Sequence, residues 1–428
     1  MSLAAHSMAF LFISRCKEIG MQLKELPAFE TLQQNCLESG LQMLQLQGKT
    51  ILPVVQGGMG VGVSAGGLAG AVANLGAVGT ISSVDLRRLH PDLMALTGKL
   101  DKEPDARQQI ESANLIALDR EIKKAQMLSH GRGLIAVNIM KALNQYPGYV
   151  AQALASGADA IVVGAGLPLD LPDLAKDFPN TALIPILADA RGVQLVVRKW
   201  EKKGRLPSAI VIEHPKLAGG HLGAANIDDL NDPRFNFDVA IPVILEFFKS
   251  AGLEGQIPLI AAGGISCRED ILRLQALGAS AVQLGTAFAV TQECDAPLAF
   301  KEILAHAKPE DLQEFISVAG LPARAVKTPW LEKYIRIESK LQDRAHVKKK
   351  CNMSFDCLQH CGLRDGHSKM GQFCIDQQLG HALTGDVQKG LFFRGSGVLP
   401  FGDNIRSVRE LLVWLMSGHA PMEHISQV

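Results

Sequence analysis

The chain has 428 residues, 47% of them apolar, with 41 glycines and 43 basic residues balanced by 43 acidic ones. That length admits one large core with an appendage, or two domains. The neutral balance excludes the strongly basic class that binds nucleic acid, and scarce aromatics with abundant glycine suit a βα-repeat protein.

From the amino end, residues 1–45 read as a helical extension. Its apolar piece Met8–Ser14 lacks a convincing cleavage site, so an export signal is not expected. The apolar stretch from Ile51 to Ile81 is broken by glycines and holds Gln56 and Asn74, so no membrane span is expected either. The chain reads as cytoplasmic.

Short apolar runs bounded by Gly and Pro then alternate with amphipathic segments, the pattern of parallel strands in βα units. The first four runs are Ile51–Gln56, Ala77–Ser82, Leu134–Ile139 and Ala160–Gly164. Ala182–Ala188, Ala209–Glu213, Ile257–Ala262 and Ala281–Gly285 follow. Eight in succession predict a (β/α)8 barrel over residues 46–308, with helices at Asp105–His130, Gly192–Lys203, Phe237–Ala251 and Ser266–Leu277. Residues 84–132 exceed a standard connection and predict a helical insertion over the barrel mouth. Residues 309–428 read as an appended α-helical C-terminal region.

A barrel places chemistry at the carboxyl ends of its strands, with a phosphate site commonly after strands seven and eight. Strand seven ends at Gly263-Gly264 and strand eight at Gly285-Thr286, where backbone N–H groups and a hydroxyl can meet a phosphate. After strand one, the loop Gly57-Gly58-Met59-Gly60 lacks dinucleotide spacing but lets backbone amides lie against a flat ring. Asn138 and Gln283 have side chains suited to a heterocycle, though buried amides satisfying backbone would look the same. After strand six, Leu217-Ala-Gly-Gly-His-Leu-Gly223 hangs His221 in a glycine-rich loop, equipment for moving protons on a bound substrate. His214, just after strand six, is the competing base, though its place before Pro215 favours a structural role.

Four cysteines cluster late in the chain, Cys351, Cys357, Cys361 and Cys374, spaced C-x5-C-x3-C-x12-C. No C-x2-C zinc knuckle occurs, so an all-cysteine [4Fe–4S] cluster is favoured, helped by Lys348, Lys349, Lys350 and Arg364. Zinc with His360 or His367, and unliganded thiols, stay open.

These motifs resemble the nitronate monooxygenase (2-nitropropane dioxygenase) superfamily of FMN-dependent barrels, which includes the FabK-type enoyl-ACP reductases. The matching stretches are Pro53–Gly60, AGGHLG at 218–223, IPLIAAGGI at 257–265 and VQLGTAF at 282–288. The resemblance implies FMN with its phosphate at Gly263, Gly264, Gly285 and Thr286. It puts the ring near Gly57, Gly58, Met59 and Asn138, and makes His221 the catalytic base. The cysteine-bearing C-terminal region departs from that pattern and resembles the FabX branch, a flavin and iron–sulfur dehydrogenase/isomerase of acyl-carrier-protein thioesters.

On that reading the substrate is an acyl thioester, free or carrier-bound, whose carbonyl the Gly219 and Gly220 amides would polarise. Arg198–Arg205 is a basic stretch that an acidic carrier could meet, although an ordinary solvated helix face explains it as well. Nitronate oxidation, NAD(P)H-dependent enoyl reduction and a non-catalytic flavin or iron–sulfur sensor are the alternatives. A homodimer is an open expectation.

Overall fold

An apolar run bounded by glycine or proline buries both faces once helices cover it, and repeated parallel pairing of such runs closes a barrel. The structure, a computed structural model, describes residues 28–98, 105–347, 351 and 357–419. A hairpin of β1 (Leu44–Leu46) and β2 (Lys49–Ile51) leads into β3 (Val54–Gln56). Next come β4 (Val78–Ser82), β5 (Leu134–Met140), β6 (Ala160–Gly164), β7 (Ala182–Leu187) and β8 (Ile210–Glu213), each parallel to the one before. A two-residue strand, β9 (Gly220–His221), stands outside the ring. The ring is completed by β10 (Leu259–Ala262) and β11 (Ala281–Leu284), and β11 closes it on β3. The (β/α)8 barrel is the fold.

One strand boundary moves. Ile51 belongs to the hairpin, and Pro53, with no N–H to give a ladder, separates it from β3. Leu44, Leu46 and Ile51 pack on the inward residues Val55, Val78, Ala160 and Ala209, so the hairpin plugs the amino end of the barrel. Alternation sets the other end. Inward positions run Leu134, Ala136, Asn138 on β5, then Val211 and Glu213 on β8, then Ala281 and Gln283 on β11. The carboxyl-end layer therefore carries Asn138, Glu213 and Gln283 beside the apolar Ile186 of β7.

Helices Ala190–Glu201, Phe237–Ser250 and Arg268–Ala276 lie within two residues of their expected places. The insertion expected over residues 84–132 is mostly not one. Its long helix, Ala106–Ser129, packs along Gly66–Asn74 and against β5, the place of a barrel helix. Only the 3-10 turn Leu86–Leu89 and the helix Pro91–Thr97 remain as additions among the described residues.

The C-terminal region is not helical throughout. β12 (Leu312–Ile316) and β13 (Pro322–Val326) form an antiparallel hairpin, and β9 joins its edge to make a three-stranded sheet. The last helix, Val408–Ser417, starts at a Ser407–Glu410 capping box. It packs against Arg268–Ala276, which follows the seventh barrel strand, and Gly66–Asn74, which follows the first. That is the position of the eighth barrel helix, so residues 290–407 run as a long connection within the eighth βα unit. The helix Ala28–Glu38 packs on it from outside, and residues 1–27 of the expected extension lie outside the described residues. Among the described residues no helix is long and apolar enough to cross a membrane.

Candidate active site

A cavity of about 320 Å³ opens at the carboxyl ends of the strands, a size ordinary for a small-molecule site. Asn138, Glu213 and Gln283, the inward polar layer, line its floor. The loops predicted from sequence converge on it: Gly57, Gly58 and Met59 from β3, Gly263 and Gly264 from β10, Gly285 and Thr286 from β11. Gly219, Gly220 and His221 complete the rim. Gly58 has a reason besides ligand approach, because a Cβ there would stand 2.3 Å from that of Asn138.

The sequence pattern does not foretell the roof. Phe393, Arg394, Gly395 and Gly397 cross the glycine loops, with the Gly395 amide donating to Thr286 Oγ1 at 3.1 Å. Ser396 Oγ donates to the carbonyls of Lys216 and Leu217. Arg394 is 4% exposed, and among the described residues its guanidinium donates only to the carbonyls of Leu304 and Gly395 and makes no ion pair. Burial lowers its pKa, so it is a cation in want of an anion. Leu358, Ile375, Leu379 and Leu391 add an apolar wall. Only the glycines of Arg394-Gly-Ser-Gly397 could have signalled this segment.

His221 sits in β9, opposite Ala323 of β13. Two glycines before it answer to different demands. A side chain at Gly219 would strike the backbone of Arg394–Gly395, and Gly220 has φ +76°, a left-handed conformation natural to glycine. The ladder pairs Gly220 with Arg324, which leaves Gly219 as the loop glycine outside the sheet. The imidazole lies 5.6 Å from the Phe393 ring, centroid to centroid, and its Nε2 is buried without a hydrogen-bond partner. Burial pushes its pKa down to about 4, so the ring is neutral near neutrality. His214 instead packs its edge on Phe237 with Nε2 3.3 Å from Asn236 Oδ1, outside the cavity lining, as a structural residue would.

Two carboxyls join the site without having been singled out by the sequence motifs. Burial alone raises Glu213 to about 7. Asp376 also lines the cavity, where Arg88 Nη2 meets it at 2.6 Å while also pairing with Asp85.

Of the four cysteines, only Cys357 lines the cavity. Burial first, then the charge of Asp376, and then those of Cys361, Cys374 and Cys351 push its thiol up, which puts the four in one electrostatic neighbourhood with Asp376. Burial likewise raises Cys374 to about 11. Among the described residues, however, no group of three or more His, Cys, Asp or Glu stands ready to hold a metal ion. Arg364 is engaged with the carbonyls of Leu358 and Gln359 and with Asp365, and Lys348, Lys349 and Lys350 lie outside the described residues.

The basic stretch Arg198–Arg205 runs into the amino end of β8, the barrel face opposite the cavity. Trp200 is fully buried with its indole N–H on the Pro168 carbonyl, and Arg205 donates to the carbonyls of Ala175, Phe178 and Thr181. Arg198, Lys199, Lys202 and Lys203 stay exposed around that anchor.

The family model for nitronate monooxygenase matches residues 43–418. The chain belongs to the nitronate monooxygenase family. That match runs through the eighth-unit connection and ends one residue past the last helix, in line with one barrel unit.

A probable nitronate monooxygenase of Bacillus subtilis is 26% identical over 296 residues, 67% of this chain and 80% of that one. One from Staphylococcus haemolyticus is 32% identical over 124 residues, 29% of this chain and 33% of the relative's length. This chain thus spans about a third of that relative. Among solved structures, FabK from Thermotoga maritima superposes with TM-score 0.59 at 22% identity, covering 85% of this chain and 91% of that one. A nitroalkane oxidase from Streptomyces ansochromogenes gives 0.56 at 20% identity, covering 85% and 94%. At such identities the likeness shows the barrel alone.

Proposed function

We propose that this family member dehydrogenates acyl thioesters, free or bound to an acyl carrier protein, and moves the resulting double bond. The observation that supports it is the roof. Beyond the polar floor, Leu143, Leu358, Ile375, Leu379 and Leu391 offer an apolar wall fit for an alkyl chain, which a small nitroalkane would not fill.

The chain's residues suit FMN. Gly263, Gly264, Gly285 and Thr286 would meet its phosphate, and the unpaired Arg394 offers a cation beside them. Gly57, Gly58 and Met59 would flank the ring, and Asn138 and Gln283 its heteroatoms. Bound there, the flavin supplies the acceptor for the two electrons and the β-hydrogen. His221 Nε2, neutral and without a partner, takes the proton α to the thioester carbonyl. Once the imidazolium so formed has released its proton to solvent, the neutral ring takes a γ-proton from the 2-enoyl product and returns it to the α-carbon of the dienolate, which moves the double bond one position along the chain. Gly219 is the loop amide available to the carbonyl oxygen.

Cys351, Cys357, Cys361 and Cys374 are the residues that would carry a [4Fe–4S] cluster. An all-thiol donor set suits one, but their geometry does not stand ready for metal, so no step is routed through it. Iron with acid-labile sulfide in anaerobically purified protein supports the cluster, and zinc alone overturns it.

Nitronate oxidation is the second reading, favoured by the family match. Anaerobic flavoprotein mixed separately with decanoyl-N-acetylcysteamine thioester, propyl-2-nitronate and NADH decides between them. The saturated thioester is expected to bleach the flavin. Bleaching by the nitronate alone would sink the acyl reading, and bleaching by NADH alone would favour enoyl reduction.

A further inference from the structure

Among the described residues the imidazole of His221 has no polar partner to aim it. Its Nε2 makes no hydrogen bond, and its ring contact is Phe393. A general base is ordinarily oriented by a third group, often a carboxylate, and none is bonded to this ring. Its aim must come from the backbone that carries it.

That backbone is gripped on both sides of Gly219. After it, β9 lies in register with β13, Gly220 against Arg324 and His221 against Ala323, and the Leu222 amide donates to the Pro322 carbonyl at 2.8 Å. Before it, the Ala218 carbonyl accepts from Arg324 Nη1 at 2.5 Å. The other arm of the same guanidinium pairs with Glu314. The β12–β13 register sets Glu314 directly across from Arg324, so the fork is fixed from the sheet side before it reaches the loop. Arg324 is 3% exposed, and water does not compete freely for these bonds. One side chain therefore ties the start of the loop to the strand that pairs with its end.

We infer that Arg324 is the positioning residue of His221, holding the Ala218–Leu222 loop at the angle at which the imidazole faces the cavity. The inference rests on the proposed role of His221 as base. Arg324 touches no reacting atom. Lysine cannot replace it in full, because a single ammonium does not keep two acceptors in the planar arrangement of a fork. Without that tie the β9–β13 ladder, the Ala218 amide on the His214 carbonyl and Ser396 on the Leu217 carbonyl remain. Among the described residues, however, nothing then links the Ala218 carbonyl to the strand that pairs with His221, and a base displaced by about 1 Å loses on the order of 10²-fold in rate.

The test compares R324M, R324K and H221A in the full-length flavoprotein with decanoyl-N-acetylcysteamine thioester. R324M is expected to lower kcat about 10²-fold with KM and flavin content little changed, and R324K to lie between it and the parent. Guanidinium added to R324M should restore part of the rate. A second readout is independent of turnover: titration of the His221 ring by nitrogen-15 NMR, assigned with H221A. In the parent the ring stays neutral down to about pH 4, and in R324M hydration of the released loop should raise its pKa toward the ordinary 6.5. An unchanged kcat in both arginine variants while H221A is inactive overturns the inference. If H221A is fully active, the base role fails, and the NMR shift alone decides whether Arg324 positions the ring. Should R324M not fold with flavin, R324K decides the matter by the same two readouts.

Discussion

The floor and the roof of the cavity are built on different terms. The floor comes from β5, β8 and β11, whose inward alternation ends in Asn138, Glu213 and Gln283. The roof comes from the connection of the eighth βα unit, where Leu358, Ile375, Leu379, Leu391 and Phe393 are apolar. Strands locked in a closed ring hold polar groups at fixed positions, which reaction chemistry needs. A long connection can change its side chains without disturbing that ring, which suits the choice of substrate. On the proposed function the difference is a division of labour, with fixed polar groups below and size and shape selection above. His221 stands at the seam, on a barrel loop pulled into a sheet by the connection.

The largest expected effect tests the seam. H221A should lower turnover about 10²–10⁴-fold while the purified protein keeps its flavin spectrum. Full activity in that variant would take proton transfer away from this loop and return it to the floor.

Roof substitutions should act more mildly and on a different parameter. L379A and L391A each remove apolar surface from the wall, and kcat/KM for a decanoyl thioester is expected to fall about 10-fold, as for the loss of a few methylene contacts. A butanoyl thioester should lose little. Equal losses for both chain lengths would show that the roof braces the site without gripping an alkyl chain.

Floor and seam should separate again by pH. Glu213 has its pKa raised from 4.5 to about 7, so the folded state binds its proton more tightly than the unfolded one. Its contribution is fully present below about pH 4.5 and is lost as pH rises through about 7. His221 runs the other way, because its pKa falls from 6.5 to about 4. Its contribution is present above about 6.5 and is lost as pH falls through about 4. E213Q should therefore melt a few degrees higher than the parent at pH 8, with no gain at pH 4, while H221A should soften the acid-side fall. Thermal melts across pH 4–8 check both, and identical slopes in E213Q and the parent would mean that Glu213 is charged and partnered at neutral pH.

The floor is far more legible in the sequence than the roof. Runs such as Ala-Ile-Val-Val-Gly164 announce buried parallel strands, and barrel geometry then assigns Gly263, Gly264, Gly285 and Thr286 to one rim. Glu213 is readable in principle, since it stands two residues after the inward Val211, but the glycine-rich loop that follows is the louder signal. The roof offers no such period. Leu-Gln-Glu-Phe-Ile316 and Pro-Ala-Arg-Ala-Val326 are strands poor in β-branched residues, and their register with His221 joins positions about a hundred apart. Val408–Ser417 reads as a tail helix until its neighbours, the helices after strands one and seven, are seen beside it.

The smallest expected effect concerns a face that neither floor nor roof reaches. Lys199 and Lys202 are exposed on the helix Ala190–Glu201 and at its C-cap, close to the turn that feeds the amino end of β8. The length of the barrel separates them from both floor and roof. Their fully buried neighbour Trp200 anchors the helix through the Pro168 carbonyl, so its packing does not depend on the lysines. K199E/K202E should therefore change stability by no more than about 0.5 kcal/mol. Its rate on a carrier-bound acyl chain should equal the parent's at low and at high salt, since screening would expose any contribution from charge steering. A salt-sensitive loss confined to the carrier-bound substrate would mean that the carrier reaches across the barrel to its opposite face, and access to the cavity would then have to be redrawn from the β8 side.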